Sequence, residues 1–178
     1  HDCEADLVCC DLYKQGKVFG CISNDMDFLP SGTGILIRNY NLSDLVEEYQ
    51  LEVLLKDSEL TYEMFVDFCI LCGCDYTTKI PRLGYITAYK GLKKYGNIES
   101  IIENLCIKEG KFKVPDSFDY QVARKLLTGE CNKDKYEIKN LNFKRNLENE
   151  KEDIKFILEN TKYTEVKLNN RLKVIYEE

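Results

Sequence analysis

Apolar positions early in the chain recur at helical spacing. Ala5, Leu7, Val8, Cys9, Cys10 and Leu12 predict a helix over residues 3–15 that stops at Gly16. Residues 18–22 form a short apolar run that predicts a buried strand, and Asn24-Asp25-Met26-Asp27 follows at its carboxyl end. Residues 31–34 read as a turn and Ile35-Leu36-Ile37 as the next strand. Residues 44–57 fit either a connecting strand or a short helix. Over residues 61–72 the pattern is a helix, with Thr61 as N-cap and Met64, Phe65, Phe68, Ile70 and Leu71 on its apolar faces. Leu83-Gly84 opens another helix, Tyr95-Gly96-Asn97 breaks it, and a further helix runs through Leu105.

A polar connection at 106–118 with Pro115 leads to a helix at 120–127 and a short strand near 136–143. An acidic bridge at 146–153, most simply a solvated surface, precedes helices at 154–159 and 165–175. This alternation of strands and helices predicts a mixed α/β layer and not a β-sandwich.

Composition narrows the reading. The 178 residues are 44% hydrophobic and 31% charged, enough for one core with a small appended module and too apolar for wholesale disorder. The longest apolar runs are far shorter than a membrane span, so no membrane partner is expected. A net charge of −6 means that any grip on phosphate must come from a local basic patch. The nine cysteines are odd in number, and Cys69, Cys72 and Cys74 lie within or just after an apolar helix. That placement suits buried reduced thiols in a reducing intracellular compartment. With one histidine in the chain and no second CxxC, a Cys69/Cys72/Cys74 zinc site or a thiol-based redox protein is the weakest of three readings.

The chemistry concentrates in three acidic motifs at element ends: Glu4-Ala5-Asp6, Asp25-Met26-Asp27 and Gly73-Cys74-Asp75-Tyr76. Carboxylates delivered to one place repel unless a hard divalent cation lies between them. A pair of such ions can activate water and stabilise the leaving oxygen of a phosphodiester. Residues two apart in extended chain share a side, so Asp25 and Asp27 can face one cluster. The alternative is a turn whose aspartates cap backbone amides. Glu4 and Asp6 converge only if Glu4 lies at or before the first helical turn, and acidic residues also favour helix starts for dipole reasons.

A second constellation follows. Residues 76–95 hold Lys79, Arg82, Lys90, Lys93 and Lys94 and no acidic residue. Gly84, opening a helix, presents free backbone amides suited to phosphate, and Lys93 and Lys94 extend the basic face. A solvated helix face is the competing explanation. Tyr85 and Tyr89, at helical spacing, are expected to pack rather than stack on bases.

Together these motifs resemble the flap endonuclease and xeroderma-pigmentosum-G family of structure-specific nucleases. Glu4-Ala5-Asp6 is similar to that family's Glu-Ala-Glu, Asn24-Asp25-Met26-Asp27 to its acidic Asp-x-Asp motif, and residues 65–76 to its helix ending in Gly-(Ser/Cys)-Asp-Tyr. Residues 80–95 fall where the family has its helix-hairpin-helix, and residues 154–172 resemble its closing helices.

The resemblance implies an α/β fold: the C-terminal half of a PIN-like 5′-3′ nuclease domain followed by a helix-hairpin-helix module. It divides the chain into a nuclease region (1–76), a DNA-binding hairpin (77–130) and a segment packing back on the core (131–178). It implies Glu4, Asp6, Asp25, Asp27 and Asp75 as ligands of two Mg2+ or Mn2+ ions. Lys79, Arg82, Gly84, Lys93 and Lys94 become DNA contacts, with K+ at the hairpin. The implied substrate is branched DNA with a 5′ flap, and the implied location the nucleus or a cytoplasmic viral replication site. The second reading is a DNA-binding or scaffold fragment without catalysis.

Two departures stand out. Arg82-Leu83-Gly84-Tyr85-Ile86 replaces the family's Gly-Ile-Gly-Pro-(Lys/Arg), and Asp6 replaces a Glu. No sliding-clamp peptide follows Ile175. The family's first half, with its further aspartates and helical arch, is not in this chain, so a missing N-terminal half and an unpaired sheet edge are expected.

Overall fold

The computed structural model describes residues 5–39, 45–129, 150–160 and 164–168. The chain divides into two compact units, residues 1–137 and 138–178.

In the first unit, helix α1 (Ala5–Lys14) ends as its pattern requires, with Gly16 in the left-handed region. The strand expected over residues 18–22 is shorter: β1 is Cys21–Ile22 alone. The reason is burial. Cys21 faces inward, but Phe19 is 74% and Ile22 62% exposed, so the apolar run is not a buried one. Asp25 then caps a single 3-10 turn (Met26–Phe28) before β2 (Ile35–Arg38).

The segment at 44–57 resolves into both of its alternatives, β3 (Glu47–Gln50) followed directly by helix α2 (Leu51–Ser58). The sheet order is β1-β2-β3. β1 runs parallel to β2, pairing Cys21 with Leu36, whereas β3 is antiparallel, pairing Leu36 with Tyr49 and Arg38 with Glu47. The sheet is therefore mixed and not wholly parallel.

One face of this sheet is covered. Leu36 and Cys21 pack with Cys10, Phe28, Leu29, Leu51, Leu60 and Phe65 in a first core. On the other face Ile22 is exposed, and Ile35 and Ile37 are only half-buried.

Helix α3 (Tyr62–Cys72) begins where Thr61 accepts the Met64 N–H at 3.3 Å and ends at Gly73, whose φ of +116° only glycine tolerates. Helices α4 (Tyr85–Tyr95), α5 (Ile98–Ile101) and α6 (Tyr120–Leu127) follow, with a π-helical segment (Ile102–Lys108) continuing α5. Their second core contains Val66, Ile70, Leu71, Ile80, Leu92, Ile98, Ile101 and Leu127.

A buried ionic knot ties these helices together. Asp67, 3% exposed, accepts from Arg124 Nε at 2.9 Å and from the Ile98 N–H at 3.1 Å. Arg124 also forks onto both Glu99 carboxylate oxygens, at 3.0 and 3.3 Å.

In the second unit helix α7 (Glu150–Asn160) begins inside the stretch expected to be an acidic bridge. Acidic and basic residues alternating with Ile154, Phe156 and Ile157 sustain a helix there. Of the expected helix at 165–175, residues 165–168 are helical. The strand expected near 136–143 lies outside the described residues.

Candidate active site and nucleic-acid interface

The carboxyl end of β1 delivers the chain into the Asp25–Asp27 turn. Asp25 is extended (φ −81°, ψ 125°), and its Oδ1 accepts the Asp27 N–H at 2.9 Å. Ser23 Oγ accepts the Asp25 N–H at 3.1 Å. The capping arrangement and the shared-site arrangement thus coexist: Asp25 both caps the turn and faces the same space as Asp27. Their convergence comes from this tight turn and not from two positions along a strand.

Asp6 sits in the first turn of α1, and Asp75 in the turn just past Gly73. Asp6, Asp25, Asp27 and Asp75, with Ala5, Leu7, Phe28, Ser31 and Tyr76, line one cavity of about 360 Å³. Four of the five expected carboxylates therefore meet. Glu4 lies outside the described residues.

Among the described residues no three His, Cys, Asp or Glu side chains gather closely enough to grasp a metal ion directly. Cys69, Cys72 and Cys74 are accordingly not brought together as a three-thiol cluster. This leaves room for a hydrated hard cation, because magnesium retains several waters and takes only one or two carboxylates directly. The donor chemistry of the cavity fits such an ion, since its aspartates offer only oxygen.

The nearby thiols do not compete. Burial pushes Cys69 up to about 12, with Cys72 and the Asp27 charge adding to it. Burial also raises Cys74, and the Tyr76 and Thr77 N–H groups oppose that rise. The seven described cysteines are all free.

The basic segment is more varied than its sequence suggests. Lys79 lays its stem across Gly73, where a Cβ would collide with Lys79 Cε. Arg82 occupies the third position of a turn closed by the Leu83 N–H donating to the Ile80 carbonyl at 3.2 Å, after Pro81. Its φ is +65°, the conformation for which such turns prefer glycine. Gly84 begins α4 without a side-chain cap, and open space surrounds the position its Cβ would take.

Lys93 and Lys94, expected as free phosphate grips, both have internal partners. Lys93 pairs with Glu59 at 2.7 Å, and Lys94 lies 4.8 Å from the Tyr95 ring centre. Exposed pairs of this kind exchange readily with an incoming phosphate. Tyr89 packs as expected, donating to the Ser58 carbonyl at 2.9 Å and meeting Phe68 edge-on. Tyr85 does not: it is 67% exposed. Sequence reasoning also missed Ser31 and Tyr76 as cavity-lining residues. Tyr76, adjoining Asp75, was within reach of it.

A carboxylate-lined cavity beside a helical hairpin is the arrangement of a nuclease core, and the fold agrees. The structure aligns with flap endonuclease-1 from Methanococcus jannaschii at a TM-score of 0.71 and 20% identity, covering 97% of this chain and 50% of that one. It aligns with the catalytic core of Rad2 at 0.70 and 18% identity, over 92% of this chain and 63% of that one.

The XPG I-region matches residues 2–75. Flap endonuclease 1-2 of Paramecium tetraurelia is 37% identical over 183 residues, 97% of this chain and 46% of that protein. Flap endonuclease 1 of Salmo salar is 41% identical over 128 residues, 70% of this chain and 33% of that protein. The chain belongs to the XPG/Rad2-type flap endonuclease family, which is generally divalent-metal dependent. It spans about half the length of the Paramecium relative and a third of the salmon one.

Proposed function

We propose that this chain is the carboxylate-bearing, duplex-holding portion of a metal-dependent endonuclease that cuts branched DNA at 5′ flaps. The observation that carries the reading is the single cavity lined by Asp6, Asp25, Asp27 and Asp75. Residues 1–76 carry the chemistry and residues 77–130 hold duplex DNA.

In this reading Glu4, Asp6, Asp25, Asp27 and Asp75 hold two Mg2+ or Mn2+ ions. When bound, such ions supply an activated water and neutralise charge on the departing oxygen. The protein's own part is placement. The Asp25 cap fixes the Asp27 turn, Gly73 lets the chain reverse so that Asp75 reaches the cavity, and Tyr76 walls one side. Lys79, Arg82 and the amides above Gly84 hold phosphates downstream, with K+ at the hairpin, and Lys93 and Lys94 join by exchanging their internal partners.

The exposed sheet face and the edge of β1, unpaired among the described residues, favour a second element of the proposal. An N-terminal half of the nuclease completes the sheet, and the greater length of the relatives supplies room for it. We place the protein in a reducing compartment, the nucleus or a cytoplasmic viral replication site.

The test is cleavage of end-labelled 5′-flap DNA by the chain with Mg2+, with chelator, and with Asp25 and Asp27 both changed to Ala. Metal-dependent cutting that falls at least about a thousandfold in the double variant is expected. Duplex binding with no cutting at all assigns the chain to the holding role alone, with catalysis requiring the N-terminal half.

A further inference from the structure

Arg38 ends β2 at the same end of the sheet where β1 releases the Asp25–Asp27 turn. Two hydrogen bonds tie these segments. The Ser23 N–H donates to the Ile37 carbonyl, and the Asn39 N–H donates to Asn24 Oδ1, both at 3.0 Å. Asn39 takes a left-handed conformation (φ +53°) to make its bond.

Side chains alternate along a strand, so Arg38 projects from the same sheet face as Leu36, which packs with Phe28.

The guanidinium is prepared yet unclaimed. It rests 5.8 Å from the Tyr49 ring centre, which holds its plane. Glu47 stands directly opposite in the β2–β3 register, but its Oε2 accepts from the Tyr49 hydroxyl at 2.9 Å. Arg38 has no ion-pair partner among the described residues, and its Nε is the one buried side-chain nitrogen or oxygen among them with no hydrogen-bond partner.

Native proteins rarely leave a buried donor orphaned, and a functional role is one of the explanations for those that are. Ligands of open α/β sheets bind outside the carboxyl ends of the strands, where this arginine stands. A planar fork beside an anionic cavity suits one class of acceptor, the phosphodiester oxygens of a nucleic-acid strand.

We infer that Arg38 is a substrate-positioning residue that takes a backbone phosphate of the DNA strand crossing the carboxylate cavity. This rests on the nuclease reading above and adds to it a cation on the sheet side, away from the hairpin. Tyr49 stacks against the guanidinium and donates its hydroxyl to Glu47, so the cross-strand carboxylate makes no direct ion pair with Arg38.

The experiment is fluorescence anisotropy of labelled 5′-flap DNA over a KCl series in Ca2+, with the chain as it stands and with Arg38→Gln and Arg38→Lys. Arg38→Gln is expected to bind about tenfold more weakly, with its log-affinity against log-salt slope shallower by about 0.9. Arg38→Lys should keep the slope, having kept the charge, and lose part of the affinity with the fork.

Melting temperatures of both variants should stay within about 2 °C of wild type, since no protein acceptor is lost. An Arg38→Gln chain with wild-type affinity and slope overturns the inference. So does a loss of affinity accompanied by a large fall in melting temperature and an unchanged slope, which marks a structural residue. A wild-type chain that binds no flap DNA overturns the nuclease reading itself, and the inference with it.

Discussion

The sheet layer and the helical block of the first unit differ in how completely they are finished. The helical block has a closed core and an Asp67–Arg124–Glu99 knot, buried at its Asp67 end, whose donors and acceptors are matched. The sheet layer is covered on one face, leaves Phe19 and Ile22 in solvent, and gathers four aspartates around one cavity. Stability has been concentrated in one region and reactivity in the other. Mutually repelling carboxylates are tolerable because the block beside them is firmly held.

The largest test of that contrast is a pair of substitutions of similar chemistry. Asp67→Ala removes one partner of a buried ion pair and leaves Arg124 and the Ile98 N–H short of an acceptor. Chemical denaturation should show a loss of about 4 kcal/mol. Asp25→Asn keeps the side-chain oxygen that caps the Asp27 N–H and removes one repelling charge. The same measurement should find it unchanged or slightly more stable, while flap cleavage collapses. Equal destabilisation by the two would erase the contrast.

A smaller effect sharpens it from the other side. Arg82 is the strained point of the helical block, a non-glycine residue at φ +65°. Arg82→Gly should raise stability by about 1 kcal/mol in the same assay while weakening duplex binding. A loss of stability would mean that the side chain, not the backbone, dominates at this turn.

The smallest effect concerns acid. Arg124 holds the Glu99 carboxyl below its ordinary value, so its stabilisation is present above the usual carboxylate range and lost as pH falls through the folded value. Asp67 runs the other way, because burial pushes it up and it takes its proton first. Glu99 is nearly half exposed, so Glu99→Gln should blunt the stability lost between about pH 5 and 3 by only a few tenths of a kcal/mol. Urea midpoints at the two pH values read this out.

The helices were legible in the chain because their ends are written in local chemistry. Thr61, Gly73, Gly84, Gly96 and Asn97 each mark a boundary through a cap or a backbone conformation that neighbours alone determine. The carboxylate site was legible for the same reason, since each aspartate sits beside such a boundary. What escaped depends on partners far away in sequence. The shortness of β1 reflects the exposure of Phe19, the antiparallel β3 reflects its pairing with β2, and the Asp67–Arg124 bond joins residues 57 positions apart. The strained Arg82 was visible only as a missing glycine, and the orphaned Arg38 not at all.

Helix α3 gives these two regions a common fate. Phe65 packs into the sheet-side core and its immediate neighbour Val66 into the helical one, so a single helix is a wall of both. Melting either core would strip a wall from the other, which couples their stabilities. The firm block is therefore expected to lend cooperativity to the loose one, the shared helix making the two open together in hydrogen exchange.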